Sequence, residues 1–176
     1  MVCLTAMQVP SQYLKIINGL IAQARALVEQ GETLVSIAFV GNLTTGQMVP
    51  LILEEGSTPA KDASAAAIRQ MAGSVNADFV FQIREAWTLA QEHTARYQEI
   101  MAQYGSIGAS PYAQDVASFT LETSHGVWMA MPPLTANPPV PKSRTFGAIT
   151  FMHAPQVEGR FVGLLPAKEP GAGVLH

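Results

Sequence analysis

The stretch from Asp78 to Leu89 constrains the fold most, because its side chains alternate with the two-residue period of a β-strand. One face carries apolar side chains and a carboxylate: Phe79, Phe81, Ile83, Glu85 and Trp87. The opposite face is amphipathic: Val80, Gln82, Arg84, Ala86 and Thr88. A strand with so long an apolar face must be covered by another layer, so the sequence predicts a sheet packed against helices.

Helical patterns surround this strand. Val9 to Gln30 has apolar residues at helical spacing and is followed by Gly31, a residue typical of helix C-termini. A second helix is predicted from Pro59 to Ser74, because Thr58 can cap it and proline is favoured in the first turn. Gln91 to Tyr104 has a shorter helical pattern.

Apolar runs separated by turn residues predict the other strands. These runs are Thr33–Val40, Gln47–Leu53, Val116–Thr123, Val127–Met131, Thr145–Met152 and Arg160–Leu165. Pro50 lies inside the second run and cannot donate to a ladder, so that strand is predicted to be an edge. Pro132 to Pro141 contains five prolines and is predicted to be an extended connector.

Taken together, these elements predict an α+β fold. We expect a mainly antiparallel sheet of about six to seven strands, with two long helices and one shorter helix packed on one face. Residues 1–165 are expected to form a single domain, since the β structure after the proline-rich segment is too small to bury its own core. Residues 166–176 have no periodicity and are expected to be a flexible tail.

The scarcity of charge narrows the classes of function. Charged residues make up 13% of the chain and the net charge is −3, so no basic surface indicates nucleic-acid binding. The N-terminus has no secretory signal pattern and no apolar run is long enough to span a bilayer, so we expect a cytoplasmic protein that does not enter the membrane. The single cysteine, Cys3, is interpreted as an incidental thiol.

A surface short of charge also favours self-association, because soluble monomers usually keep charged surfaces. We therefore expect a homo-oligomer, with a two-fold dimer as the simplest form. Either the helix from Val9 to Gln30 or the edge strand near Pro50 is expected to supply the contact.

Motifs for cofactors, metals and nucleophiles are missing from the sequence. His93, His125, His153 and His176 have no metal-ligand spacing, and there is neither a GxSxG nor an SxxK pattern. Gly41 to Gly46 is glycine-flanked but lacks the Lys-Ser/Thr of a phosphate loop, so it is interpreted as a hairpin loop. The sequence thus predicts no cofactor and no metal site.

Glu85 is the most informative single residue, because the strand pattern places its carboxylate among apolar side chains. A buried carboxylate is costly unless it is paired or protonated. Three interpretations follow: the strand ends and Glu85 reaches water, Glu85 pairs with an arginine, or Glu85 is a catalytic acid–base group. The candidate partners are Arg69, Arg96 and Arg144.

Two function classes remain open. A non-catalytic binding protein, such as an inhibitor, adaptor or assembly factor, would use exposed side chains around Trp128, Met129 and Met131 to contact a protein partner. The alternative is a small acid–base enzyme of hydrolase type, with two carboxylates in one cleft. Its candidate residues are Glu85, Arg84, Glu122, His125 and His153, although the polar face around Glu122 is also explained by simple solvation.

Two short motifs carry a resemblance. Asp78-Phe-Val-Phe-Gln-Ile-Arg-Glu-Ala-Trp87 and Leu121-Glu-Thr-Ser-His-Gly-Val-Trp128 resemble short bacterial and phage-borne proteins of uncharacterised activity. In those proteins a strand ends in a glutamate-alanine-tryptophan triplet, and a later hairpin turns through a glycine. The resemblance implies a structural role for Glu85 and Trp87, and it implies no activity.

Overall fold

The computed structural model describes residues 8–154 and 159–166. Three segments lie outside the described residues: residues 1–7 with Cys3, residues 155–158 of the last predicted turn, and residues 167–176 of the predicted tail with His176. Within the described part, no helix is long and apolar enough to cross a membrane.

The described helices are α1 (Ser11–Glu29), α2 (Thr58–Val75) and the shorter α3 (Tyr97–Tyr104). A 3-10 helix, Gln91–Arg96, leads directly into α3. Ser57 rather than Thr58 caps α2, because its hydroxyl accepts the backbone N–H of Ala60. The two long helices and the shorter one were thus correctly predicted.

The strands are β1 (Ile37–Gly41), β2 (Met48–Ile52), β3 (Phe79–Leu89), β4 (Ala113–Thr123), β5 (Gly126–Ala130), β6 (Thr135–Ala136), β7 (Arg144–Thr145) and β8 (Met152–Ala154). Six of the described strands form one antiparallel sheet in the order β2-β1-β3-β4-β5-β8. This arrangement confirms the predicted α+β fold and places β2 at an edge of the sheet.

The helices cover both faces of the sheet, so the prediction of helices on one face is wrong. One core joins α1 to odd-numbered residues of β3 and β4, such as Phe81 and Phe119. The other joins α2 to even-numbered residues, such as Val40 and Val80. We call these the α1 face and the α2 face. The order of strands and helices in the sequence does not determine which face of the sheet a helix covers. Here α1 packs on one face and α2 on the other.

The proline-rich segment does not stay extended, contrary to the prediction. Its chain turns back so that β6 pairs with β7, and Ser143 Oγ donates to the Glu29 carbonyl at the end of α1 (2.6 Å). The predicted hairpin between Thr145–Met152 and Arg160–Leu165 is also wrong. β8 pairs with β5 instead, and residues 160–165 form no strand.

Residues 160–165 instead cross the α2 face, and we call them the strap. The Leu164 side chain belongs to the α2-face core and is only 1% exposed. Phe161 and Leu165 pack against the same core. The strap lacks a strand because its backbone bonds to side chains of the sheet rather than to a neighbouring strand.

Candidate functional site

Glu85 forms an ion pair with Arg144. Pairing with an arginine was one of the three interpretations of Glu85, and Arg144 was one of the candidate partners. Arg144 Nη2 is 2.7 Å from Glu85 Oε1, and Nη1 is 3.2 Å from Oε2. The Leu34 backbone N–H also donates to Oε1 (2.9 Å). The hydrogen bonds that Arg144 donates to Glu85 raise the pKa of Arg144. β3 continues to Leu89, so Glu85 is not at a strand end, and its carboxylate connects three segments of the chain.

A groove of about 710 Å³ adjoins this pair on the α1 face. The β6–β7 hairpin forms one wall with its prolines, while Glu85 and Asp115 lie on the other side. Thr145 Oγ1 donates to Glu29 Oε1 (2.7 Å), which helps to hold the hairpin against α1. The groove therefore contains opposite charges on fixed elements, but neither a candidate histidine nor Glu122 lines it.

Arg84 is the neighbour of Glu85 on β3, but its side chain lies on the α2 face and does not contact the residues that surround Glu85. Its Nη1 is 2.5 Å from Glu55 Oε1, and its Nη2 donates to Gln82 Oε1 (2.6 Å). Its guanidinium lies 4.6 Å from the centre of the Phe161 ring. Arg84 thus connects the sheet to the strap and takes no part in the Glu85 groove.

Glu122 is a buried carboxylate, so its interpretation as a solvated residue is wrong. The residue is 6% exposed on the α2 face, beneath the strap. The Leu164 N–H donates to Oε1 (2.9 Å), while Oε2 is buried with no hydrogen-bond partner among the described residues. Burial raises the pKa of Glu122, and the backbone N–H of Leu164 offsets part of that effect.

The two candidate histidines, His125 and His153, are in contact where β8 lies beside the β4–β5 turn. His125 is exposed in the β4–β5 turn, and its carbonyl accepts a hydrogen bond from His153 Nε2 (3.0 Å). The His153 ring packs beside Trp128, with 4.6 Å between ring centres. Gly126 has a φ of +124°, and a Cβ there would lie 2.6 Å from His153 Nε2, so this approach requires glycine.

The five candidates therefore do not form one cleft. Glu85 is opposite Ala117 in the β3–β4 ladder and Glu122 is opposite Val80, so the carboxylates are five positions apart on opposite faces. Five positions along a strand correspond to about 16 Å. The predicted cleft with two carboxylates and a histidine is absent from this arrangement. Among the described residues, no group of three or more His, Cys, Asp or Glu could hold a metal ion.

An apolar surface lies uncovered at the β2 end of the α1 face. Val35 and Ile52 are 59% and 65% exposed, and Leu27 of α1 and Met48 of β2 are exposed as well. We call these four residues the β2 strip. A groove of about 520 Å³ between α1 and β1 continues the surface through Leu27 and Val35. Trp128, by contrast, is fully buried, so the expected contact surface around it is wrong, although Met131 is exposed.

Sequence reasoning missed the side chains that hold the strap. Gln82 and Glu122 follow strand alternation on a face that looks solvated, and the signal for their burial comes from Phe161 and Leu164, far along the chain.

Comparisons with family models, with curated proteins and with solved structures found no match.

Proposed function

We propose that this protein is a non-catalytic binding protein that uses the β2 strip as its contact surface, and that its first partner is a second copy of itself. The observation that carries the proposal is the exposure of Val35 and Ile52, together with the groove that Val35 and Leu27 line. Clustered apolar side chains of this kind are typical of protein interaction sites.

The chemistry of the candidate residues supports binding over catalysis. Glu85 is engaged by Arg144, Arg84 by Glu55, and Glu122 by the strap. An acid–base enzyme needs such groups gathered around one reacting atom. A hydrolase built on Glu85, Glu122 and a histidine therefore has less support than a contact surface.

The geometry of β2 favours packing by its face rather than by its edge. Leu53 N–H donates to Ser36 O and Asn42 N–H donates to Gln47 O, so hydrogen-bonded pairs recur at every second residue of β1. Pro50, opposite Phe39, falls between such pairs, and its nitrogen faces the free edge without a proton. A strand that paired with this edge would lack the hydrogen bond that an N–H at position 50 would donate. We therefore expect two copies to associate through the β2 strip and not through the edge of β2.

Light scattering on the purified protein tests the proposal. We expect micromolar wild-type protein to have about twice the mass of the 18.8 kDa chain. Ile52→Glu places a charge at the most exposed residue of the strip and is expected to give the monomer mass. Met152→Glu is the matched control, because Met152 is exposed on β8 at the other edge of the sheet, and it is expected to stay dimeric.

Two results would contradict this proposal. A wild-type mass of 18.8 kDa throughout the micromolar range would exclude the dimer. A dimer that survives Ile52→Glu but dissociates on Met152→Glu would place the contact at the opposite edge.

A further inference from the structure

The strap occupies the α2 face in the manner of a bound peptide. Its residues 160–165 have neither helix nor strand, yet Leu164 is inserted into the core and Phe161 packs beside it. The two apolar anchors are three residues apart. In several modes of peptide recognition, pockets that accept side chains of the peptide give the specificity.

Side chains of the sheet bind the strap through its backbone. Gln82 Nε2 donates to the Phe161 carbonyl (3.0 Å), and the Leu164 N–H donates to Glu122 Oε1 (2.9 Å). Gln82 and Glu122 lie on adjacent strands, β3 and β4, and both are buried. Because the contacts are to main-chain atoms, the same two side chains would bind another segment that adopts the turn of the strap and presents a carbonyl and an N–H at this spacing.

The receptor side of this contact is held in place by groups outside the strap. Glu55 accepts hydrogen bonds from Arg84 (2.5 Å) and from Ser36 Oγ (2.6 Å). Arg84 in turn is fixed over the Phe161 ring. A site arranged before its ligand arrives loses less conformational entropy on binding. At the edge of the contact, Arg160 pairs with Asp62 of α2 (2.6 Å).

We propose that the α2 face is a peptide-binding site that residues 160–165 occupy in cis, and that its partner in trans is a segment with a Phe-x-x-Leu pattern preceded by a basic residue, which adopts the same turned conformation as the strap. Gln82 and Glu122 bind the main chain of that segment, the α2-face core accepts its leucine, Arg84 covers its phenylalanine, and Asp62 pairs with its basic residue. This site lies on the opposite face of the sheet from the β2 strip and does not depend on dimer formation.

A labelled peptide tests the proposal on the full-length chain. The peptide is Gly-Arg-Phe-Val-Gly-Leu-Leu-Pro, the sequence of residues 159–166, and binding is followed by fluorescence anisotropy. The Phe161→Ala/Leu164→Ala chain should bind it at least about tenfold more tightly than the wild type, because occupation in cis lowers the apparent affinity. Val162→Ala keeps both anchors and should behave as the wild type. A peptide with serine in place of phenylalanine and the first leucine should not bind.

A second measurement covers the case in which the double variant fails to fold. In wild-type protein, excess unlabelled peptide should accelerate hydrogen exchange at the Leu164 amide, because the displaced strap loses its bond to Glu122. The proposal is overturned if the folded double variant does not bind the peptide. It is equally overturned if that variant is unfolded and the Leu164 amide of the wild type exchanges at an unchanged rate.

Discussion

Glu85 and Glu122 are two carboxylates on neighbouring strands whose surroundings differ. Glu85 is about three-quarters buried and faces the guanidinium of Arg144, so its charge is compensated. Glu122 is buried more deeply and has one backbone N–H at Oε1. A compensated carboxylate stabilises the fold in its charged form, whereas an uncompensated one costs free energy when it ionises. Substitution with glutamine should therefore have opposite effects at the two positions.

Replacing Glu85 with glutamine should destabilise the protein at pH 7. The amide cannot accept both guanidinium hydrogen bonds, and Arg144 keeps a charge that is only 23% exposed. Hydrogen bonds to charged groups contribute about 1.5–3 kcal/mol, and partial exposure places the expected loss in the lower half of that range. Urea denaturation followed by circular dichroism measures it.

The control for this experiment is Glu99→Gln. Glu99 also accepts hydrogen bonds from an arginine, Arg96, but Glu99 is 62% exposed and Arg96 40% exposed, more than Glu85 and Arg144, so little change is expected. Equal effects of the two substitutions would show that the Glu85 pair has no special structural role.

Among the elements, β2 shows how one residue protects a sheet edge. Pro50 occupies the centre of the strand, where an ordinary residue would direct its N–H away from β1. Removing the donor makes the edge a poor template for another strand. The rest of the β2 ladder is unaffected, because the missing N–H lies on the outer side.

Pro50→Val should restore this outward donor and promote association through the edge. We expect little change in the free energy of unfolding but faster growth of thioflavin-positive aggregates on gentle heating. Pro111→Val changes an exposed proline in the loop before β4 and serves as the control. If the two variants aggregate at the same rate, Pro50 does not protect the edge.

The elements also show what the sequence could predict. The alternation in β3 predicted the strand, the edge position of β2 followed from Pro50, and an arginine partner for Glu85 was among the interpretations because a buried carboxylate requires compensation. The burial of Glu122 was not predictable in the same way. Glu122 shares one face of β4 with Val116, Ser118 and Thr120, while the residues between them on the other face are apolar. This alternation is typical of a strand with one solvated side.

Long-range contacts explain the remaining differences. The strap reaches Gln82 from 79 residues away and Glu122 from 42 residues away, and a local pattern contains no record of such contacts. The same reason applies to the β6–β7 hairpin, whose folded-back shape depends on a bond from Ser143 to Glu29 across 114 residues.

At the scale of the whole molecule, the sheet is a middle layer between two unlike cores. The α1 face is dominated by aromatic and aliphatic side chains, including Phe81, Phe119 and Trp128. The α2 face combines small and aliphatic side chains with buried polar groups that the strap satisfies in part. Glu122 is one of these buried polar groups, so the stability of the protein should depend on its ionisation on the α2 face.

Glu122→Gln should stabilise the protein at neutral pH. Burial raises the pKa of Glu122 above 4.5, so the folded state holds a proton that the unfolded chain has already lost. The wild-type free energy of unfolding should then fall as pH rises from about 4.5 through the raised pKa, and level off above it. Glutamine cannot ionise, and its carbonyl can still accept the Leu164 N–H.

Urea denaturation of both proteins between pH 4 and pH 8 tests this prediction. The advantage of Glu122→Gln should be smallest near pH 4 and should grow to a plateau as pH rises. A difference in stability that is constant across this range would show that Glu122 titrates alike in the folded and unfolded states.

The position of the strap in the chain has a consequence for biosynthesis. All six strands of the main sheet precede residue 160, so their residues are synthesised before the anchors Phe161 and Leu164. Until then the newly made α2 face presents its pockets, together with Gln82 and Glu122, to the surrounding solution. A chain whose strap has not yet docked therefore exposes the apolar surface of this face, and chaperones that recognise such surface should bind it during that interval.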